Sequence, residues 1–307
     1  MLVFGIASGL AAATFQSVSY LATRHFVQRR GEGASRDLLI MSHVLMGAVS
    51  LVLLPLLWPA EGINWSRTIY PLVMTALFYL LGQMGLMMAL KHAEASRISP
   101  LLGLKVVVLA LLATAFTLPQ ARGGLSMLQW GAVVLCVVAA FLLTNTGGRL
   151  KGKAIAATMF ACVAYAASDW HIALLSQVIV ETTSQKALAP VLGAALCYSL
   201  CGVGGLAFLP MLRVRKAAAW RDAAPYSAAW LAAMFALFTC FALVGPVLGN
   251  ILQSTRGLIS IGMGSMIAAR GHHHIEARTT RDVFIRRLLA GTLMFAAIVL
   301  YVLGRNR

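Results

Sequence analysis

The chain has 307 residues, of which 60% are apolar and 11% charged, and a formal net charge of +16. That is too few charges for a soluble protein of this size and excludes a large soluble catalytic domain, because ten membrane helices of roughly 20 residues each would leave only short connections. The 25 Lys and Arg residues are scattered between apolar runs and form no basic domain, so the charge points to orientation in a bilayer rather than to nucleic acid.

In chain order the apolar runs lie near 2–23, 38–58, 69–90, 98–117, 126–144, 153–175, 188–210, 223–243, 247–269 and 286–304, each bounded by charge or by Pro/Gly punctuation. They predict an all-α membrane protein of ten transmembrane helices. Nothing basic precedes Arg24, so the first run reads as a retained helix rather than a cleaved signal. Runs eight and nine are parted only by Val244, Gly245 and Pro246. The five cysteines, Cys136, Cys162, Cys197, Cys201 and Cys240, all fall inside runs and read as small buried hydrophobes.

Sliding the chain against itself by 151 residues lays the first four runs on runs six to nine, with Ser17 on Ser168, Leu45 on Leu196, Leu80 on Leu231 and Lys105 on Arg256. A constant offset over four helices requires connections of matched length, which predicts two five-helix repeats, 1–148 and 149–307. The odd-numbered loops carry 18 of the 25 basic residues, against 5 in the even loops and the two ends. By the positive-inside rule the odd loops face the cytoplasm and both termini lie outside it. Corresponding loops of the two halves have opposite bias, as inverted repeats require.

Ten short helices, the five-plus-five repeat and the segment from Ala89 to Leu102 (ALKHAEASRISPLL) resemble the drug/metabolite transporter superfamily, in particular its EamA branch. In that branch a third helix ends in a similar Ala-Leu phrase, the fourth opens near Pro-Leu, and the fifth begins with a Trp-Gly step like Trp130-Gly131. The resemblance implies alternating-access transport of a small metabolite through a central cavity between the halves. The chain departs from the pattern in two places. The usual acid after helix four is missing from Leu118 to Arg122, and a long insertion, Arg270 to Arg287, separates helices nine and ten. Many members of the superfamily are also thought to keep both termini in the cytoplasm, against the charge count.

Lys105 and Arg256 fall near the middle of runs four and nine. A charge at that depth costs at least about 2.5–3.5 kcal/mol on insertion scales, so it normally faces a protein interior or a watery cavity and serves a pathway or ligand. The alternative is that both snorkel, or pair with Asp169 as a strut. Gly249, Gln253, Arg256 and Ser260 recur at spacings that share one helical face, and Asn250, Ser254 and Thr255 widen this polar stripe. Interhelical hydrogen bonding would explain the stripe equally well in kind. Lys105 itself is flanked on its face by Leu101 and Val108, which predicts an isolated cation on an apolar wall. Helix one offers Gln16 and Tyr20, with Thr14, Ser17 and Ser19, and helix six offers Ser168, Asp169 and His171. These repeat-equivalent segments would line the cavity. Asp169, the only acid in a predicted run, and His171 are candidates for a coupling proton. Against this, His171 lies near a helix end beside Trp170, and Asp169 is as readily an ion-pair partner of Arg256.

His43 and Gln83 read as packing residues, and Gly5-x-x-x-Gly9 and Ser260-x-x-x-Gly264 as close helix approaches. Gly202, Gly204 and Gly205 give a packing or kink signal. His272, His273 and His274 with Glu276 suggest a metal box, yet three adjacent histidines cannot point one way on a helix, and loop solvation is the preferred reading. No phosphate cradle or nucleophile set is present, so no enzyme activity and no cofactor are expected.

The expectation is a plasma-membrane secondary transporter, bacterial inner membrane by class, moving a small anionic or carboxylate-bearing metabolite. Its site would comprise Lys105, Arg256, Gln253, Ser260, Asn250, Gln16, Tyr20 and Ser168, with a proton or counter-substrate as the coupled partner and membrane lipids around it. The competing classes are a membrane-embedded metal-dependent or lipid-handling enzyme and a non-transporting partner subunit.

Overall fold

The computed structural model describes all residues except 32, 91, 93–97, 99–100, 117–124, 145–151, 215, 260–261, 264–280 and 306–307. Among the described residues there are ten α-helices and no strand. They are α1 (Leu2–Arg30), α2 (Ala34–Leu57), α3 (Trp65–Leu90), α4 (Lys105–Ala115), α5 (Met127–Thr144), α6 (Gly152–Thr182), α7 (Ala189–Ala207), α8 (Ala217–Val244), α9 (Pro246–Ser254) and α10 (Arg281–Arg305). Six of them, α1, α2, α3, α6, α7 and α8, are long and apolar enough to cross a membrane, and α4, α5 and α10 contain shorter apolar stretches. A spanning segment must satisfy its own backbone hydrogen bonds in hydrocarbon, which is why the apolar runs are helices. The outward residues agree: Val52 is 73% and Leu56 77% exposed, an arrangement suited to lipid and adverse in water.

The helices overrun the predicted segments at their polar ends. Asp169 stays the one acid within the predicted runs, and Asp37, Glu181 and Asp222 lie in the extended ends of α2, α6 and α8. Asp37 is buried and accepts hydrogen bonds from the backbone N–H groups of Arg213 and Val214. The split between α8 and α9 falls at Gly245, whose φ of +86° favours glycine, with Pro246 opening the next helix.

The chain forms two compact units, each drawing helices from both sequence halves. The first comprises Met1–Leu81 and Ala167–Val244. In it α1 packs along α8 and α2 along α7. Both pairs are antiparallel. Gly5 meets Leu243 and Val244 while Arg30 pairs with Asp222, and His43 and Val44 meet Gly205 while Gly47 meets Gly202. Small residues permit such approach. A Cβ on Gly47 would stand 2.5 Å from Gly202 Cα, and one on Gly202 would stand 2.6 Å from Gly47 Cα. At one end Arg29 and Arg30 of the first connection reach Asp222, and Arg36 donates to the carbonyl of Met211. At the other, Arg67 pairs with Glu181 at 2.7 Å and Glu61 accepts from the N–H and Oγ of Ser184. These Ser184 hydrogen bonds hold the Glu61 carboxyl below its usual range.

The second unit comprises Gly82–Ala166 and Gly245–Arg307. Its α5 and α10 are antiparallel, with Gly131 against Leu300, Gly304 against Ser126, and Ala139 clustered with Ala290 and Met294. The end of α3 and the start of α6 pack around Leu86, Ala89, Ile98, Leu102, Ala157 and Ala161. Helices α4 and α9 meet at Gly103, where a Cβ would stand 3.5 Å from Ser254 Oγ and 3.6 Å from the Cβ of Ala140 on α5.

Candidate functional site: buried cations in the second unit

Ile98 and Leu101 are already helical, residues 102–104 form a 3-10 turn, and the α-helix resumes at Lys105, so Lys105 follows an irregularity within the predicted run. Likewise α9 ends at Ser254, Thr255 is a turn, and 256–259 are helical again, so Arg256 also follows a break. Both cations therefore sit at helix irregularities, 151 residues apart in the chain. The break also parts the stripe expected on helix nine: Ser260 lies outside the described residues.

Lys105 and Arg256 are both buried, at 7% and 6% exposure. The predicted apolar wall around Lys105 is corrected by α6, which the helix-four pattern alone could not place. Lys105 Nζ stands 5.9 Å from the centroid of the Tyr165 ring, within range of a cation–π attraction. Cys162, one turn before Tyr165, donates its thiol hydrogen bond to the Leu101 carbonyl at 3.4 Å and lies within electrostatic reach of both Lys105 and Arg256.

Asn250 and Gln253 are buried on α9 just before Arg256. The Asn250 amide donates to the Pro246 carbonyl at 2.8 Å, which leaves Asn250 Oδ1 without a partner among the described residues. Gln253 Oε1 is unpartnered in the same sense. Ser254 Oγ donates to the Asn250 carbonyl and Thr255 Oγ1 to that of Leu252, so these two hydroxyl protons are spent on carbonyls of α9. The second unit therefore offers two buried cations and two buried carbonyl oxygens, a set that can hold an anion together with a hydrogen-bond donor.

The remaining candidates fall in the first unit. Gln16 is buried, and Tyr20 packs its ring 6.4 Å from that of Trp230. Ser17 and Ser19 donate within α1, to the carbonyls of Ala13 and Gln16. Ser168 donates across to the Thr75 carbonyl at 3.0 Å, tying α6 to α3. Asp169 is 4% exposed. His171 is half-buried, its Nδ1 on the Ala167 carbonyl and its ring stacked on Phe78 and edge-on to Tyr70, an aromatic setting that accounts for it by packing. The His272 to His274 loop is outside the described residues.

Sequence reasoning missed a string of rings in this unit. Tyr20, Trp230, Tyr226 and Tyr198 follow one another through α1, α8 and α7, then Tyr79 of α3 and His43 of α2. Trp230 Nε1 donates to Tyr198 Oη at 3.0 Å. His43 is buried with Nδ1–H donated to the Leu39 carbonyl, and its Nε2 has no hydrogen-bond partner among the described residues. The only local sequence signal was Tyr226 and Trp230 one helical turn apart.

No family model matches the sequence, and no curated protein matches it. A solved structure described as a crystal structure of a protein is similar over 100% of this chain and 99% of that one, with a TM-score of 0.70 at 14% identity. At that identity the likeness shows the fold alone.

Proposed function

We propose that the chain is a secondary transporter of the drug/metabolite transporter type, moving a small anionic or carboxylate-bearing metabolite by alternating access across the plasma membrane. The observation that carries this reading is the pair Lys105 and Arg256, buried at repeat-equivalent positions, each just after a helix break. Broken helices near the bilayer midplane are where transporters of repeated architecture hold charged substrates. Two cations favour an anion and repel a permanently cationic drug. The Asn250 and Gln253 oxygens would accept from donors on the same molecule. No nucleotide-binding motif is present in the sequence, so a proton or counter-substrate gradient supplies the energy.

Helix pairing supports an inverted repeat. Helices α2 and α7 are equivalent under the 151-residue offset and run antiparallel, and α5 and α10, the last helix of each half, run antiparallel as well. Gly103 touches Ser254, the residue 151 positions later. The pairing of α1 with α8 has its counterpart in that of α6 with α3.

Topology provides one test. Connections one and seven share an end of the first unit and connections two and six share the other, in keeping with the alternation of basic charge. Both termini are therefore expected outside the cytoplasm. A reporter fused after Arg307 and active only in the cytoplasm should stay silent, and a strong signal would overturn this orientation.

Asp169 provides the second. If it carries the coupling proton, Asp169→Asn abolishes pH-gradient-driven transport in proteoliposomes while sparing exchange of substrate for substrate, since exchange needs no net protonation change. Equal loss of both would make Asp169 a structural partner of a buried cation. The substrate itself is to be found by a thermal-shift screen of small metabolites against the purified protein, because a ligand that binds only the folded form raises its apparent stability.

A further inference from the structure

The outer face of the second unit carries a groove of about 250 Å³ between α5 and α10, lined by Val138, Phe141, Leu142 and Arg286. We propose that this groove is a binding site for one anionic phospholipid, with an acyl chain along Val138 and Phe141 and its phosphate at the Arg286 guanidinium. The inference needs only that the chain lies in a bilayer and does not depend on transport.

Depth is the first argument. The apolar stretch of α5 runs from Met127 to Leu142 and that of α10 from Leu288 to Gly304. The helices are antiparallel, so Phe141 and Leu142 end one stretch where Leu288 begins the other. Arg286 stands two residues outside, about 3 Å along the axis. A guanidinium just beyond the hydrocarbon boundary, above an apolar cleft, stands at headgroup level.

The lining is the second argument. Val138 is 43% and Phe141 54% exposed, and Arg286 is exposed as well. A free phosphate would leave that apolar wall uncovered, whereas a phospholipid covers the wall and meets the charge with one molecule. Guanidinium also matches phosphate oxygens in geometry, where a lysine would be only a point charge.

Charge is the third. The two connections at this end, 145–153 and 270–287, hold eight of the 25 basic residues against two acids, Glu276 and Asp282. Juxtamembrane basic clusters attract anionic lipid at about 1 kcal/mol per charge. The basic residues that the sequence places between α5 and α6 and before α10 attract such lipid to the membrane, and the groove gives one molecule a fixed seat.

The test uses the full chain in detergent, checked as monodisperse, titrated with phosphatidylglycerol or with phosphatidylcholine of the same acyl chains, and read by native mass spectrometry. The wild type is expected to retain one phosphatidylglycerol in preference to phosphatidylcholine. Arg286→Gln should lower that retention about fivefold, the equivalent of about 1 kcal/mol. Val138→Trp fills the groove without altering charge and should lower it comparably. Lys153→Gln removes a charge from the same end outside the groove and should leave the single tight lipid in place. Equal retention of the two lipids would overturn the site. So would equal losses in Arg286→Gln and Lys153→Gln with Val138→Trp unaffected, which would signify a diffuse counter-charge layer. A chain recovered from the soluble fraction would instead fail the membrane reading itself.

Discussion

Lys105→Gln is expected to weaken binding of an anionic ligand by roughly 10- to 150-fold, from the loss of about 1.5–3 kcal/mol for a hydrogen bond to a charged group. Arg256→Lys should also weaken it although the charge is kept, because an ammonium cannot reproduce a bidentate fork. The double change should be less than additive, since both side chains would meet one ligand. Struts would behave otherwise: thermal stability in detergent would fall while the surviving protein bound normally. Affinity of the monodisperse variants for the best ligand from the thermal-shift screen decides the matter. Unchanged affinity in all three would remove the anion site.

Gly202→Ala and Gly204→Ala should move stability in opposite directions, although the sites are two residues apart on α7. At Gly202 the new methyl would stand 2.6 Å from Gly47 Cα and 3.2 Å from the His43 carbonyl oxygen. Both are backbone atoms, so the α2–α7 crossing must open. Overpacking of that kind costs typically about 1–3 kcal/mol. At Gly204 the nearest atom is Leu80 Cδ1 at 3.7 Å, an ordinary contact. The methyl there meets no clash and restricts the unfolded chain, a gain of up to about 1 kcal/mol. Unfolding midpoints of the two purified variants against wild type measure this. A Gly202→Ala protein as stable as the parent would mean that α2 and α7 do not cross at this point.

The ten helices were legible from apolar run length, and six of them are long and apolar enough to cross a membrane. Their polar ends were not. Helix α1 continues to Arg30, past the predicted end at 23, because Arg29 and Arg30 find Asp222 on α8, nearly two hundred residues away. Lys105 and Arg256 stood out since a charge in an apolar run is costly in lipid whichever role it serves. Their surroundings did not, because Tyr165 and Cys162 come from another helix and look like any apolar filler in one dimension. The ring string from Tyr20 to His43 was invisible for the same reason: it draws on five helices, and only Tyr226 and Trp230 are near neighbours in sequence. The serines of α1 read as cavity lining by composition, whereas Ser17 and Ser19 spend their protons on carbonyls of their own helix.

The pairing of α1 with α8 also fixes an order of events during synthesis. Helix α1 is complete at Arg30, but its partner begins at Ala217. At about 5–20 residues per second the intervening chain takes roughly 10–40 s to emerge. For that interval α1 is without the surface of α8 that later covers it. The hydrogen bonds of Ser17 and Ser19 back to Ala13 and Gln16 need no partner helix, so these two hydroxyls are already satisfied while α1 waits.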